Sequence, residues 1–560
     1  MIAFHTDPYQ AEQQLRGVIF YLTAVGFVDG DFDATERELV RGQIAGLVDA
    51  RARQVLGAGI GADVTARWKR HFDEVFEEVV GQVERDLDEP TAEGEAPQQF
   101  ALSRLRLKCF ELFRTFDPES RRAMLEAADA VIRADGVVHP AEAAFRDELV
   151  RVLDAPMELG EDEVQELPEG SMHIASARKL PPKAQDHPFL KGFEWDWARD
   201  PALFAEQSRG DMALIDRVVA HLEAQRARGR GRLGEARDFA GFSPGTRFLD
   251  GHVYVDRPAA GEAVDLLVIG DLHGCYSCLK AALLQADFFA RVQAAHDAPG
   301  RHPAMKLVLL GDYIDRGRFS YNGVLRTVMQ LQLAAPDSVY MLRGNHEHYV
   351  ELNGKVLAPV RPAEAMQSLE SVAGVEVFAR YMKLFEALPN MLVFDRTLFV
   401  HAGIPRDETI ARVWTGLSSL NDPELRFEML WSDPSAGDHV PAELQAASAR
   451  FPFGRRQFKS FLGRLGVHTM IRGHERVVEG FRRVYDEPGA RLLSLFSAGG
   501  RTNGDLPPRS SYREVTPMAL LLKYREGVTE LEPFEIAYER FNDPQYNAFF
   551  AKADAGSGER

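Results

Sequence analysis

Three short apolar runs, residues 264–269, 306–310 and 338–342, each stop abruptly at glycine or at Arg-Gly. Runs of this length, rich in β-branched residues and leucine, read as buried parallel strands. Between them, residues 275–290 and 319–334 repeat at helical spacing. The order strand–helix–strand–helix–strand puts whatever follows each run at the carboxyl ends of neighbouring strands, where open α/β sheets form their sites. The first 153 residues have a different texture. Helical periodicity runs through 9–28, 34–55, 64–87, 100–113, 118–133 and 141–153. From 154 to 255 the pattern is mixed: an acidic stretch at 158–169, a proline- and lysine-rich one at 179–188, and aromatic density at Phe189, Phe193, Trp195 and Trp197 before a helix over 202–227. Such aromatic density argues for docking on a folded surface. The pattern predicts an all-helical domain over 1–153, a docked connector over 154–255, an α/β domain over 256–540 and a polar tail over 541–560.

The residues at the three strand ends form blocks: Gly270-Asp271-Leu272-His273-Gly274, Gly311-Asp312-Tyr313-Ile314-Asp315-Arg316-Gly317 and Gly344-Asn345-His346-Glu347. Asp271, His273, Asp312, Asn345 and His346 offer carboxylate, imidazole and amide donors without a thiolate. That set suits Mn, Fe, Zn or Ni, not a structural zinc knot. One such block would be weak; three in register are a specific signal.

With these blocks the chain resembles the metal-dependent phosphoprotein phosphatases among the calcineurin-like phosphoesterases. The resemblance continues in order through NMLVFDRTLFVHAG (390–403), LWSDP (430–434), FPFG (451–454), RGHE (472–475) and LFSAGG (495–500). It implies an α/β metallophosphoesterase sandwich behind an all-α domain. It also implies two divalent ions, with manganese favoured. One would be held by Asp271, His273 and Asp312, the other by Asp312, Asn345, His401 and His474, with Asp312 bridging. A hydroxide between the ions would attack phosphorus in line. His346 would protonate the leaving alkoxide and Asp315 would orient it. Arg316 would bind phosphate oxygens. Arg450 is the candidate second clamp, although the family's equivalent arginine lies a few residues further upstream. Where the family has an aromatic residue after its SAP-type segment, this chain has Gly499-Gly500-Arg501, so the pocket wall is expected to differ.

These features favour a protein serine/threonine phosphatase acting on phosphoproteins or phosphopeptides. A small-molecule phosphoesterase, such as a dinucleoside polyphosphate hydrolase, shares the metal blocks and is the alternative. A non-catalytic scaffold would be expected to break the ligand set, which is intact. The net charge of -18 argues against nucleic acid or an anionic membrane as the general partner. The longest N-terminal apolar run, residues 17–28, is too short to span a bilayer. Three cysteines make no disulfide framework, so a cytoplasmic location is the default expectation. Cys275 and Cys278 form a C-x-x-C at a helix start, where a redox role competes with simple packing, the favoured reading.

The helical domain carries an internal repeat. Asp29-Gly30-Asp31-Phe32-Asp33-Ala34-Thr35-Glu36 and Asp135-Gly136-Val137-Val138-His139-Pro140-Ala141-Glu142 each end one helix and begin the next. This resembles the tellurite-resistance TerB-like helical domain, whose acidic junctions imply a metal or a partner there. An EF-hand fails, because its sixth position would be Ala34 and its twelfth Val40. Helix capping by Asp33 with Glu36, and by Pro140 with Glu142, accounts for the same residues.

Overall fold

The computed structural model describes residues 2–5, 7–28, 32–56, 62–87, 97–134, 138–154, 172–198, 200–353, 355–370, 374–447 and 450–551. The chain divides into two compact units, one of Met1–Glu161 with Ala436–Pro452, the other of Asp162–Ser435 with Phe453–Arg560. No described helix is long and apolar enough to cross a membrane.

The first unit is helical: Pro8–Gly26, Ala34–Leu56, Ala62–Leu87, Pro97–Arg114, Pro118–Val131 and Pro140–Asp154, then Ala442–Gln445 from the distant segment. Local chemistry sets the starts. Asp7 and Asp117 each cap a helix whose first residue is proline, and Asp117 accepts from the Glu119 and Ser120 N–H groups. At the first junction the capping box is complete, with Glu36 N–H on Asp33 Oδ1 at 2.8 Å and Asp33 N–H on Glu36 Oε2 at 3.0 Å. At the second, His139 N–H donates to Glu142 at 3.2 Å. Asp29, Gly30, Asp31, Asp135 and Gly136 lie outside the described residues, as does the acidic stretch 158–169. The core packs Val18, Ile19, Phe76, Phe113 and Phe145 together with Val440 and Leu444. Gly437 N–H donates to Glu111 at 3.2 Å and Arg151 pairs with Glu443 at 3.3 Å. A seventeen-residue piece of distant sequence therefore belongs to the helical core.

The second unit holds two seven-stranded sheets. In the first, Val264–Ile269, Ala304–Leu309 and Val339–Met341 run parallel, and Met518–Arg525 and Val528–Glu535 extend the other edge as an antiparallel hairpin. The second is ordered Phe481–Glu487, Ala490–Leu495, Thr469–Arg472, Thr397–Val400, Met391–Phe394, Val253–Asp256 and Arg247–Asp250. Alternation along Met391–Phe394 explains the layering. Leu392 and Phe394 join the cluster that includes Leu266 and Val268 of the first sheet, while Met391 and Val393 face the cluster with Phe458 and Leu462.

Two helical patterns are more divided than their periodicity suggests. The first splits into Tyr276–Gln285 and Phe288–Asp297 at Asp287, whose φ of 54° interrupts the helix; aspartate tolerates that left-handed state better than most residues. The second opens with a π-helical turn, Ser320–Leu325, before Arg326–Ala334. Cys275 and Cys278 are buried free thiols, and burial holds the Cys278 thiol well above its ordinary range, against a reactive thiolate.

The aromatic connector is anchored by Arg326. Its guanidinium grips both carboxylate oxygens of Asp211 at 2.9 Å and lies 3.5 Å from the Trp195 ring centroid, while Trp197 Nε1 donates to the same carboxylate at 2.8 Å.

Candidate active site

Each proposed ligand follows a strand. Asp271 and His273 follow Val264–Ile269, Asp312 follows Ala304–Leu309, and Asn345 follows Val339–Met341. His401 and His474 follow Thr397–Val400 and Thr469–Arg472 of the second sheet. The site thus lies where the carboxyl ends of both sheets meet. The backbone there is held in an unusual state. Among the described residues, ten non-glycine residues have positive φ, and His273, Asp312, Asp315, Arg316 and His474 are five of them, at 43°, 53°, 67°, 64° and 71°. Each costs on the order of 1–2 kcal/mol. Such a cost persists where the surrounding fold over-determines the direction of a side chain. Gly473 shows how tight the fit is: a Cβ there would lie 2.1 Å from Asp271 Oδ1.

The donors converge. His273 Nε2 is 3.4 Å from Asp312 Oδ2 and His401 Nε2 is 3.4 Å from Asp312 Oδ1. The Asn345 side-chain amide lies 2.8 Å from His401 Nε2 and 3.1 Å from His474 Nδ1, and those two ring nitrogens are 3.2 Å apart. The far nitrogens of two rings are tied back. His273 Nδ1 sits 2.9 Å from the Ile314 carbonyl and His401 Nδ1 3.0 Å from the Leu310 carbonyl, so each turns Nε2 inward. Burial holds both imidazoles well below their ordinary pKa, in the neutral form that ligates. Burial also pushes Asp271 up to about 7, against the opposing His474 N–H, and raises Asp312 together with the nearby Asp271 and Glu347 charges. Two crowded carboxylates facing neutral imidazoles and an amide are a donor set that a divalent cation would satisfy. Among the described residues, His273, Asp312 and His346 bring ligand atoms within 4.8 Å of one another.

His346 is placed differently from the other histidines. Its Nδ1 lies 2.7 Å from Asp315 Oδ2, while Nε2 looks toward Asp312 at 3.8 Å. Asp315 is buried and raised to about 6 by that burial, against the opposing Ala365 N–H and Arg316 charge. Arg450 falls in Ala436–Pro452, within the first unit, whereas the donor ring lies in the second.

Several contributing residues escape the sequence reading. Glu347 accepts from the N–H groups of Asp312, Tyr313 and Gly344 at 2.8–2.9 Å, stitching two motif loops together. Asp433 looks from sequence like no more than a turn former before Pro434. It accepts from Arg472 at 2.8 Å and stands 3.7 Å from His474 Nε2. The aromatic wall missing at Gly499-Gly500 is supplied from further along the same loop. Tyr512 packs with its ring centroid 5.3 Å from that of His273 and 5.3 Å from that of Phe496.

The calcineurin-like phosphoesterase family matches residues 264–477. Serine/threonine-protein phosphatase BSL2 of Arabidopsis thaliana is 28% identical over 240 residues, 41% of this chain and 22% of its own. The putative serine/threonine-protein phosphatase C06A1.3 of Caenorhabditis elegans is 27% identical over 245 residues, 41% of this chain and 57% of its own. The matched stretch thus spans between a fifth and about half of the length of these relatives. A solved protein serine/threonine phosphatase from Saccharomyces cerevisiae, titled as similar to human phosphatase PP5, covers 59% of this chain and 90% of its own at 16% identity, with a TM-score of 0.36. Residues 264–477 of the chain are a calcineurin-like phosphoesterase domain.

Proposed function

We propose that the chain is a two-metal phosphomonoester hydrolase of the protein serine/threonine phosphatase kind. The observation that carries this reading is the His346–Asp315 pair, which directs Nε2 of a buried histidine toward Asp312 at the rim of the donor ring. Asp271, His273 and Asp312 would hold one divalent ion, and Asp312, Asn345, His401 and His474 the other. When bound, the ions would lower the pKa of a water between them and neutralise charge on the phosphoryl oxygens. The chain's own groups supply the rest. Arg316 binds and orients phosphoryl oxygens, Asp315 keeps the His346 Nδ1 proton in place, and His346 Nε2 gives its proton to the departing alkoxide oxygen. No phosphoenzyme is needed. The relatives are named as serine/threonine phosphatases, which favours phosphoproteins as substrates over the dinucleoside polyphosphate alternative. The helical unit, with its TerB-like repeat, is read as a sensor or docking module.

The deciding experiment strips the protein with chelator, restores Mn²⁺, and measures turnover on p-nitrophenyl phosphate, phosphopeptides and dinucleoside polyphosphates. Metal-dependent turnover with phosphopeptides preferred is expected. Full activity in the stripped protein would refute the two-metal reading, and preference for the dinucleotides would move the chain to the small-molecule class.

A further inference from the structure

Arg316, the phosphate clamp of the proposed reaction, already has an anionic partner. Its Nη1 donates to Glu364 Oε2 at 3.0 Å and to the Pro362 carbonyl at 2.7 Å, and Nη2 reaches the Arg361 carbonyl at 3.4 Å. The Arg316 backbone N–H points at the same Glu364 oxygen, 3.4 Å away. One residue on, the Ala365 N–H donates to Asp315 Oδ1 at 2.8 Å, while the other oxygen of Asp315 holds His346. Glu364 and Ala365 therefore engage Arg316 and Asp315, two consecutive residues against two. The two contacts do different things. The amide of Ala365 fixes the carboxylate that orients the proton donor. The carboxylate of Glu364 occupies a guanidinium N–H group of the kind that binds phosphate, and offsets part of its charge.

The carbonyls of Arg361 and Pro362 also hold the guanidinium, and Tyr512 is a further partner of it. What Glu364 adds is charge. Its side chain is also the more accessible of the pair, 39% exposed against 13% for Arg316. A carboxylate so placed can swing into water, leaving the arginine behind.

We propose that Glu364 is a built-in competitor for the phosphate-binding face of Arg316, a latch that an incoming phosphoryl group must displace. This deepens the phosphatase reading and rests on it. The latch weakens binding of phosphate in the ground state and leaves the His346–Asp315 proton donor untouched, so its signature is in KM and in product inhibition, not in kcat. A residue that merely positioned Arg316 would give the opposite sign, since losing it would loosen the clamp.

The test compares the full-length wild type with Glu364→Gln, both loaded with Mn²⁺. Gln keeps an acceptor at the same place and removes the charge. Inorganic phosphate is the probe, read as a competitive inhibitor of p-nitrophenyl phosphate hydrolysis and directly by calorimetric titration. Glu364→Gln is expected to bind phosphate about two- to tenfold more tightly, with KM falling in parallel and kcat within about twofold, and the difference should shrink as salt is raised. Glu364→Asp, one methylene too short to reach, should shift in the same direction and guards against a local folding defect in the first variant. Phosphate binding that is unchanged or weaker in both variants overturns the latch. Absence of turnover in the Mn²⁺-loaded wild type would instead overturn the phosphatase reading, and the calorimetric comparison would still decide whether Glu364 competes for anions at Arg316.

Discussion

His346 Nδ1 and Asp315 Oδ2 meet at 2.7 Å, with both side chains buried. The pairing fixes which imidazole nitrogen carries a proton toward the donor ring. His346→Asn is expected to slow turnover by about 10²–10⁴ while both ions stay bound. The loss should be smaller for p-nitrophenyl phosphate than for a phosphoserine peptide, because nitrophenolate leaves with little help from a proton. Asp315→Asn should cost roughly 10–100-fold by the same route. Metal analysis showing an emptied site in His346→Asn would make His346 a ligand.

Asp312 lies within 3.4 Å of ring nitrogens from both sheets, His273 on one side and His401 on the other. Mn²⁺ should raise the unfolding midpoint of the wild type, since a ligand at 100 times its Kd contributes about 2.7 kcal/mol. Asp312→Asn should lose most of that shift together with activity. A thermal scan in which the variant responds to Mn²⁺ as the wild type does would remove Asp312 from the ligand set.

Acid should destabilise the second unit through its buried histidines. His252 is driven down to about 3 by burial and by the nearby Arg426, against the opposing Leu388 carbonyl. The folded form therefore resists protonation that the unfolded chain accepts near 6.5. The stability this group contributes is fully present above that value and falls by about 1.4 kcal/mol per pH unit down to the folded pKa. His348 and His468, each lowered to about 4 by burial, act in the same sense. Lowering the pH from 6.5 to 4.5 should cost the wild type more in urea midpoint than it costs His252→Gln, because the buried carboxylates Asp271 and Asp315, whose raised pKa acts in the opposite sense, are common to both proteins. Equal slopes in the two proteins would mean that His252 is not carrying the effect.

Removing the N-terminal helices should have a defined cost. A chain begun at Gly170 keeps every proposed ligand and the aromatic connector, yet it strips the helical core from around Val440 and Leu444. That chain is expected to hydrolyse p-nitrophenyl phosphate but to self-associate, and Val440→Ser with Leu444→Ser should restore a monomer, as read by light scattering. A folded, metal-loaded and inactive truncated chain would mean that the helical unit completes the active site.

How much was legible in the sequence follows from the range of the interactions. Asp271, Asp312 and Asn345 could be read because each follows an apolar run that can only be a buried strand. His401 and His474 follow runs of the same kind in the second sheet. Arg316 was visible inside its motif, but Glu364 was not, because a glutamate opening a helix looks like an ordinary first-turn acid and acquires meaning only from what it faces. Tyr512 was hidden for a related reason: the loop after Ala498 reaches the pocket by another path and delivers its ring from a later position. Val440 and Leu444 are branched apolar residues in an alanine-rich stretch with no marked periodicity, and only packing across hundreds of residues tells them from ordinary surface.

That shared core has a consequence for synthesis on the ribosome. The base of the segment is closed within the second unit, where Ser435 N–H donates to the Phe453 carbonyl at 2.8 Å and Phe453 N–H to the Asp433 carbonyl at 3.0 Å. The helices of the first unit emerge first, but the piece that finishes their core ends only at Pro452. At about 5–20 residues per second, that piece is made roughly 15–60 s after the last of those helices. Through that interval the nascent helices lack the residues that complete their core, and the helical unit closes only once most of the phosphoesterase sequence has been translated.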